Sequence, residues 1–255
     1  MLFIIIVCCF AFCAGLVDAL VGGGGLIQLP AMFIFFPELT LAQTLATNKT
    51  AGFMGTVTAA VRYSKKIKMD WKKLTPLVFA AGTSAAVGAW LVSYLHKEQM
   101  MPFLIAALCM VLIYTLLNKN LGKNVVAKSY SEKKQIVYAV IMGFAIGLYD
   151  GMIGPGTGSF LIFGLILIFG FDFLNATAHA KIINCATNLG ALLLFAFRGK
   201  IILGIAIPIG IANIAGSYVG THLALKKGSA FIRIFFLVIV VALILKLGRD
   251  YYFKS

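Results

Sequence analysis

The sequence predicts an all-α polytopic membrane protein with two repeats of about four hydrophobic segments each, the first segment of each repeat being broken at a glycine-rich motif. Composition, segment length and internal similarity support this fold class. The 255 residues are 61% hydrophobic and 12% charged, with a mean hydropathy of +0.99. A soluble domain carries about 25% charged residues. At about 20 apolar residues per transmembrane helix, the length allows roughly eight spans and leaves no large soluble domain.

Charge clusters and turn residues divide the chain into eight apolar stretches. They are 2–36, 39–61, 74–95, 101–117, 136–169, 173–195, 201–225 and 231–248. The first and fifth are too long for one span, since a helix over 2–36 would rise about 52 Å across a hydrocarbon core of about 30 Å. Glycines at 22–25 and a Gly/Pro motif at 154–158 can break these two helices. In a bilayer, such breaks are tolerated only where protein or a water-filled cavity surrounds the backbone.

The chain also resembles itself when it is shifted, without gaps, so that position 18 meets position 150. This shift aligns residue types that are otherwise rare here: Asp18 with Asp150, Lys49 with Lys181, and Pro76 with Pro208. We therefore predict two repeats, near 12–113 and 144–245. The corresponding domains are a first membrane repeat over 1–117, a polar basic linker over 118–135 and a second membrane repeat over 136–255. Duplicated halves with Gly/Pro-interrupted segments are typical of secondary transporters.

The net charge of +14 does not indicate a nucleic-acid partner, because 20 of the 22 Lys and Arg residues lie between or beside the apolar stretches. That placement is typical of cytoplasmic loops. If each broken segment crosses the membrane once, the loop charges divide 16 to 4. If each dips in and out, or crosses twice, the halves become inverted and the charges divide 14 to 6. The more uneven division favours single crossings. The relative orientation of the repeats, parallel or inverted, stays open.

The two remaining basic residues, Lys49 and Lys181, lie about ten and eight residues into their spans, near the membrane midplane. A charge there costs at least about 2.5 to 3.5 kcal/mol and usually marks an ion or substrate path. The alternative is a structural ion pair with Asp18 or Asp150, the two acids well inside apolar segments. We expect these acids to be either proton carriers or structural groups.

Helices that restart after Gly25 and Gly158 would present unpaired N–H groups and the positive end of the helix dipole, which suits a small anion. Polar residues follow at helical spacing, with Lys181, Asn184 and Asn188 on one face. The predicted substrate-binding set is Lys49, Lys181, Asn48, Asn184, Asn188, Gly24, Gly25, Gly156, Thr157, Gly158 and Ser159.

No pattern indicates an enzyme. The stretch GPGTGSF lacks the lysine of a phosphate loop and follows no strand, so it does not predict nucleotide binding. HExxH, a nucleophile elbow and paired Cys/His ligands are absent from the sequence, and we predict no cofactor and no metal site.

Four stretches resemble a known family: GLVDALVGGGGLIQLP, LATNKT, GLYDGMIGPGTGSF and AHAKIINCATNLGALLLF. They are similar to the sulfite exporter TauE/SafE family, also called the 4-toluene sulfonate uptake permease family, in its probable inner-membrane transporter branch. The resemblance covers essentially the whole chain. It implies a multi-pass protein of the bacterial inner (cytoplasmic) membrane whose partners are the lipid bilayer and a small sulfur-containing anion such as sulfite, a sulfonate or thiosulfate.

The functional hypothesis is thus a secondary transporter of such anions that works by alternating access around a midplane site between the repeats. The alternatives are a membrane scaffold or assembly protein that does not transport, and a cation transporter. The sequence leaves open which anion is carried, the direction of transport, the coupling ion and the oligomeric state.

Overall fold

The computed structural model describes residues 2–91 and 131–252, together with 109, 112, 113, 116 and 117. In these residues the chain forms eight helices and no strand, which confirms an all-α fold. The helices are α1 (Leu2–Val21), α2 (Gly25–Phe35), α3 (Leu41–Ser64), α4 (Trp71–Leu91), α5 (Glu132–Met152), α6 (Thr157–Phe169), α7 (Phe173–Phe197) and α8 (Leu203–Tyr252). The predicted linker over 118–135 and the predicted stretch over 101–117 lie mostly outside the described residues.

Five of the described helices are long and apolar enough to cross a membrane: α1, α4, α5, α7 and α8. Large apolar side chains such as Phe79, Phe144 and Ile211 are exposed on their outer faces, as a lipid-facing surface requires. α3 has the length of a span, but polar residues including Asn48 and Lys49 interrupt its apolar sequence.

Local capping sets where α3 and α7 begin. Thr40 Oγ1 accepts a hydrogen bond from the Gln43 N–H at 3.3 Å, and Gln43 Oε1 accepts one from the Thr40 N–H at 3.0 Å, which forms a capping box. Asp172 caps α7 with its side chain as well, because its Oδ1 accepts from the Asn175 N–H at 2.7 Å. The two capping residues occupy positions that the ungapped shift of the sequence against itself aligns.

Each of the two long apolar stretches folds back on itself as a helical hairpin. The ring of Phe35, at the end of α2, lies 5.7 Å from that of Phe3 and 6.4 Å from that of Phe10, both on α1. In the second hairpin, the rings of Tyr149 on α5 and Phe160 on α6 are 5.8 Å apart. The single crossing that the charge count favoured is therefore wrong, because the count does not detect a reversal at a glycine turn such as Gly22, with φ of 73°.

The two halves run in opposite directions. α8 is parallel to α3 and α1, whereas α5 is parallel to α4, and α7 is antiparallel to α3. α8 meets α3 at Thr47 with Ile202 and Gly55 with Asn213, and it meets α1 at Phe12 with Gly216 and Leu16 with Gly220. α4 meets α5 at Leu77 with Gly143 and Ala85 with Gly151. α3 meets α7 at Lys49 with Asn188 and, through Asp18, at Thr56 with Lys181. The α1–α2 and α5–α6 hairpins therefore enter the helix bundle from opposite ends.

Basic residues gather at one of these ends. They are Arg62, Lys65, Lys66, Lys68, Lys72, Lys73, Lys133, Lys134, Lys226 and Lys227. Lys72 Nζ forms a 3.0 Å ion pair with Glu132, which joins the starts of α4 and α5. Lys226 and Lys227 precede Gly228, whose φ of 73° interrupts α8 at the same end, where Ser229 Oγ accepts from the Leu174 N–H. Under the positive-inside rule, this end faces the cytoplasm.

Candidate functional site

A cavity of about 60 Å³ lies where the tips of the two hairpins meet. Its wall comes from both halves of the chain, with the breaks after α1 and α5 opposite each other and α3 and α7 beside them. A water molecule needs about 15 Å³ of such space, so the cavity holds about four waters, or one polar molecule of similar size.

The two breaks touch through bare glycine backbone. A side chain built on Gly22 would come within 2.2 Å of the Gly158 Cα atom, so neither position has room for a Cβ. The Gly22 carbonyl accepts a 3.2 Å hydrogen bond from the Ser159 N–H, and the Val21 carbonyl accepts one of 2.9 Å from Ser159 Oγ. The first turn of α6 is thus fixed against the end of α1.

Two buried ion pairs connect the halves. Lys49 Nζ on α3 lies 3.0 Å from Asp150 Oδ2 on α5, and Lys181 Nζ on α7 lies 2.8 Å from Asp18 Oδ2 on α1. Each pair joins a lysine of one half to an aspartate of the other half. The ungapped shift that aligns Asp18 with Asp150 and Lys49 with Lys181 relates one ion pair to the other.

A threonine hydroxyl supports each carboxylate. Thr157 Oγ1 donates to Asp150 Oδ1 at 2.8 Å, and Thr56 Oγ1 donates to Asp18 Oδ2 at 3.3 Å. Such extra hydrogen bonds are needed because desolvation of a buried ion pair costs several kcal/mol per ion, which the attraction between the ions alone does not reliably offset.

The two lysines differ in their access to the cavity. Lys49 lines it and also donates to Asn188 Oδ1 at 3.4 Å, while Asn188 Nδ2 donates to Asn184 Oδ1 at 3.3 Å. Lys181 is fully buried and lies outside the lining. A molecule in the cavity therefore contacts both residues of the first ion pair, Lys49 and Asp150, but only Asp18 of the second pair.

Most of the predicted set comes together at this cavity. Its lining includes Asn48, Lys49, Asn184, Asn188, Gly24, Gly25, Gly156, Thr157 and Gly158, together with the predicted acids Asp18 and Asp150. Two predicted binding residues, Lys181 and Ser159, do not line it. Their side chains instead bond to the opposite half, Lys181 to Asp18 and Ser159 to the Val21 carbonyl.

Three polar lining residues were not in the predicted set: Gln28, Thr56 and Asn213. Asn213 Nδ2 on α8 donates to Gln28 Oε1 on α2 at 2.9 Å. The self-alignment of the sequence does not point to these two residues, because it pairs Gln28 with Phe160 and Asn213 with Ala81. The sequence does place Gln28 among the polar side chains expected to converge near the breaks, although outside the binding set. For Asn213, polarity inside an apolar helix was the signal that could have identified it.

Comparisons with known proteins give one matching family model and several relatives named as membrane transporters. The family model described as "Sulfite exporter TauE/SafE" matches residues 7–247. The chain is 34% identical to "Probable membrane transporter protein ORF9" of Sinorhizobium sp, over 94% of this chain and 90% of the relative. It is 31% identical to "Probable membrane transporter protein YfcA" of Escherichia coli strain K12, over 94% and 87% of the two chains. A "Probable membrane transporter protein" of Haemophilus influenzae is 28% identical, over 88% and 86%. No solved structure matches this chain.

Proposed function

We propose that this chain, which belongs to the sulfite exporter TauE/SafE family, is a secondary transporter of small sulfur-containing anions. The family and its relatives are membrane transporters rather than enzymes, and this chain is a multi-pass bacterial membrane protein. The proposal adds the substrate class, sulfite, sulfonate or thiosulfate, and a mechanism of alternating access around the cavity between the two halves.

The main observation that supports this proposal is that both helix breaks and the cation Lys49 line one cavity. Short helices begin at each break, α2 at Gly25 and α6 at Thr157, so two positive helix ends are associated with the lining. A compact oxyanion can accept hydrogen bonds from the free N–H groups at such helix N-termini, where many proteins bind anions. The cavity volume of about 60 Å³ suits an anion of a few heavy atoms.

The arrangement of helices supports alternating access. α2 and α6, α3 and α7, and α4 and α8 begin at positions that the internal repeat aligns, and the corresponding helices run in opposite directions. We infer that the halves are inverted repeats, an architecture in which one half rocks against the other around a central site. The two ion pairs cross that interface, so rocking must change the surroundings of both lysines.

The test measures thermal stabilisation of the purified protein by sulfite, methanesulfonate, taurine and thiosulfate, followed by uptake of the stabilising anion into proteoliposomes. We expect stabilisation that grows with anion concentration, because a ligand that binds only the folded protein adds to its stability. A variant that changes Lys49→Gln and Asp150→Asn together keeps the charge balanced and should lose this response. Thr50→Val, whose hydroxyl bonds within α3 to the Ala46 carbonyl, is the control.

Two results would overturn the proposal. No response to any of these anions, together with no uptake, would favour a scaffold or assembly protein. Stabilisation by a particular cation, independent of the anion present, would favour a cation transporter. The double variant separates a ligand effect from a general salt effect, because only binding at the cavity depends on Lys49.

A further inference from the structure

We propose that the cavity selects monovalent anions over divalent ones and that Gln28 donates a hydrogen bond to the bound anion. This inference rests on the proposed function, because it concerns the same cavity. It specifies the charge of the substrate, which neither the family nor its relatives indicate, and within the proposed class it ranks the monovalent sulfonates above divalent thiosulfate. The supporting observations are the charge count around the cavity and an unpartnered buried amide in its wall.

The charged side chains at the cavity cancel one another. The lining contains one cation, Lys49, and two anions, Asp18 and Asp150. Lys181 neutralises Asp18 from behind at 2.8 Å, so the four groups sum to zero when all are ionised. A bound anion therefore meets no excess of cationic side chains. Its charge must be balanced by the protein's dipoles.

The two short helices supply about one unit of positive charge. Each helix N-terminus acts as roughly half an elementary charge. α2 has 11 residues and α6 has 13, so both are long enough to carry this dipole, and Gly25 and Thr157 at their starts line the cavity. Two halves sum to about one charge, which matches a monovalent anion. A divalent anion would bring one uncompensated charge into a buried site, and burial of an unpaired charge is costly.

Gln28 provides an independent indication of a ligand. Its side chain is 1% exposed, it lines the cavity, and its Nε2 has no acceptor in the part of the chain that the structure describes. The other end of the amide is held, because Gln28 Oε1 accepts from Asn213 Nδ2 at 2.9 Å. A buried donor without a partner costs about 1 to 3 kcal/mol. An anion oxygen in the cavity would satisfy this donor.

Among the buried side-chain atoms without a partner in the described residues, only the Gln28 nitrogen belongs to the cavity. Asn213 acts as its positioning residue, since the hydrogen bond between the amides fixes which end of Gln28 is free. These two residues have no polar counterparts in the other half, where Phe160 and Ala81 occupy the aligned positions. The donor is thus a feature of one side of the cavity.

The first experiment uses the unaltered protein and a pair of anions of nearly equal shape. Methanesulfonate and sulfate are both tetrahedral at sulfur, but they carry one and two negative charges. We expect methanesulfonate to bind at least about tenfold more tightly than sulfate by titration calorimetry at constant ionic strength, a difference in dissociation constant that one uncompensated charge readily produces. Sulfamate, also monovalent, should rank with methanesulfonate. Equal or tighter binding of sulfate would overturn the proposed charge selection.

The second experiment changes the charge of the site. Asp150→Asn gives the four groups a net charge of +1, so sulfate should gain on methanesulfonate by roughly tenfold relative to the unaltered protein. Asp172→Asn is the matched control, because Asp172 caps α7 away from the cavity and Asn can also cap. An unchanged ratio in a folded Asp150→Asn protein would contradict the charge count.

The third experiment tests the donor. Gln28→Met keeps the length of the side chain and removes the amide, and it should weaken methanesulfonate binding by about tenfold, a typical loss for a hydrogen bond to a charged group. Gln28→Glu should abolish binding, because it adds a negative charge while Asn213 can still donate to the carboxylate. Thr50→Val should bind as the unaltered protein does. Normal methanesulfonate affinity in a folded Gln28→Met or Gln28→Glu variant would rule out the donor role.

Failure of this inference differs from failure of the proposed function. If neither methanesulfonate nor sulfate nor any sulfur-containing anion binds, the proposed function fails, and the inference fails with it. If sulfur-containing anions bind and are taken up without regard to charge, or independently of Gln28, only the inference fails.

Discussion

The buried ion pair between Lys49 and Asp150 should stabilise the protein mainly because neither charge can remain buried alone. The nitrogen–oxygen distance is 3.0 Å, and the side chains are 5% and 4% exposed. Lys49→Gln leaves the Asp150 carboxylate in a buried position, where the Thr157 hydroxyl still donates to it but no cation balances its charge. Breaking one side of such a pair costs about 3 to 5 kcal/mol.

The double variant Lys49→Gln with Asp150→Asn should recover most of this loss. It leaves no net charge, and two amides can still form a hydrogen bond. Replacement of a whole buried pair by neutral groups is often close to neutral in stability. The interaction energy from the double-mutant cycle should therefore be large, at the upper end of the range for residues in contact, about 3 kcal/mol.

An exposed ion pair of equal length provides the control. Lys72 Nζ also lies 3.0 Å from a carboxylate oxygen, that of Glu132, but the side chains are 73% and 48% exposed. The cycle of Lys72→Gln and Glu132→Gln should give an interaction energy below about 1 kcal/mol, because water screens the pair. Both cycles share the same change of charge and differ in burial.

Thermal unfolding in detergent measures both cycles. For a chain of this size, a change of about 1 kcal/mol corresponds to about 2 to 4 °C in Tm, so Lys49→Gln should lower Tm by roughly 6 to 20 °C and Lys72→Gln by a few degrees at most. If Lys49→Gln were as stable as the unaltered protein, or if the double variant were less stable than both single variants, the buried pair would not have the assigned role.

Three further predictions concern the same region. Gly156, with φ of 86°, is the residue before α6, and Gly156→Val should impair uptake because a β-branched side chain cannot readily adopt this angle; uptake at the unaltered rate would contradict a backbone contribution to the site. If Asp18 and Asp150 are structural acids, then Asp18→Asn and Asp150→Asn should each retain pH-driven uptake with a lower Tm, whereas loss of pH-driven uptake with intact anion exchange would make them proton carriers. Asn213→Ala should weaken anion binding without altering any charge, because it releases Gln28, and calorimetry showing unaltered affinity would argue against this positioning role.

Segment length, charge clusters and turn residues were enough to predict most of the described helices. The breaks in the two long stretches were expected because a membrane core of about 30 Å cannot accommodate helices of that length. In the structure, α1 ends at Val21 and α2 begins at Gly25. The reversal at each break was the less favoured of two alternatives, because it depends on the local backbone angle at a glycine and on packing such as that of Phe35 against Phe3. Loop charges carry little information on that choice.

The sequence singles out the charged residues of the candidate site but does not predict which of them form ion pairs. Lys49, Lys181, Asp18 and Asp150 stand out because charges are rare in apolar segments, but the sequence does not determine which lysine contacts which aspartate. The inverted arrangement decides this, since it brings α3 of one half beside the hairpin of the other. It also separates the lysines in access, with Lys49 in the cavity wall and Lys181 behind it. Two residues of identical type in aligned positions thus have different contacts.

Because each ion pair joins a lysine of one half to an aspartate of the other, the two halves depend on each other for charge balance as well as for packing. Within the first half, Asp18 and Lys49 are both present, yet each takes its partner from the second half. A movement that separated the halves completely would leave three buried charges and the partly buried Asp18 carboxylate unpaired. Breaking a fully buried pair costs about 3 to 5 kcal/mol. Movement that keeps each lysine within reach of a carboxylate or of a bound anion avoids this cost. If the halves rock as proposed, the ion pairs favour small motions about the contact of Gly22 with Gly158 over large separations. Under that proposal, an anion next to Lys49 is one group that replaces a carboxylate during the motion.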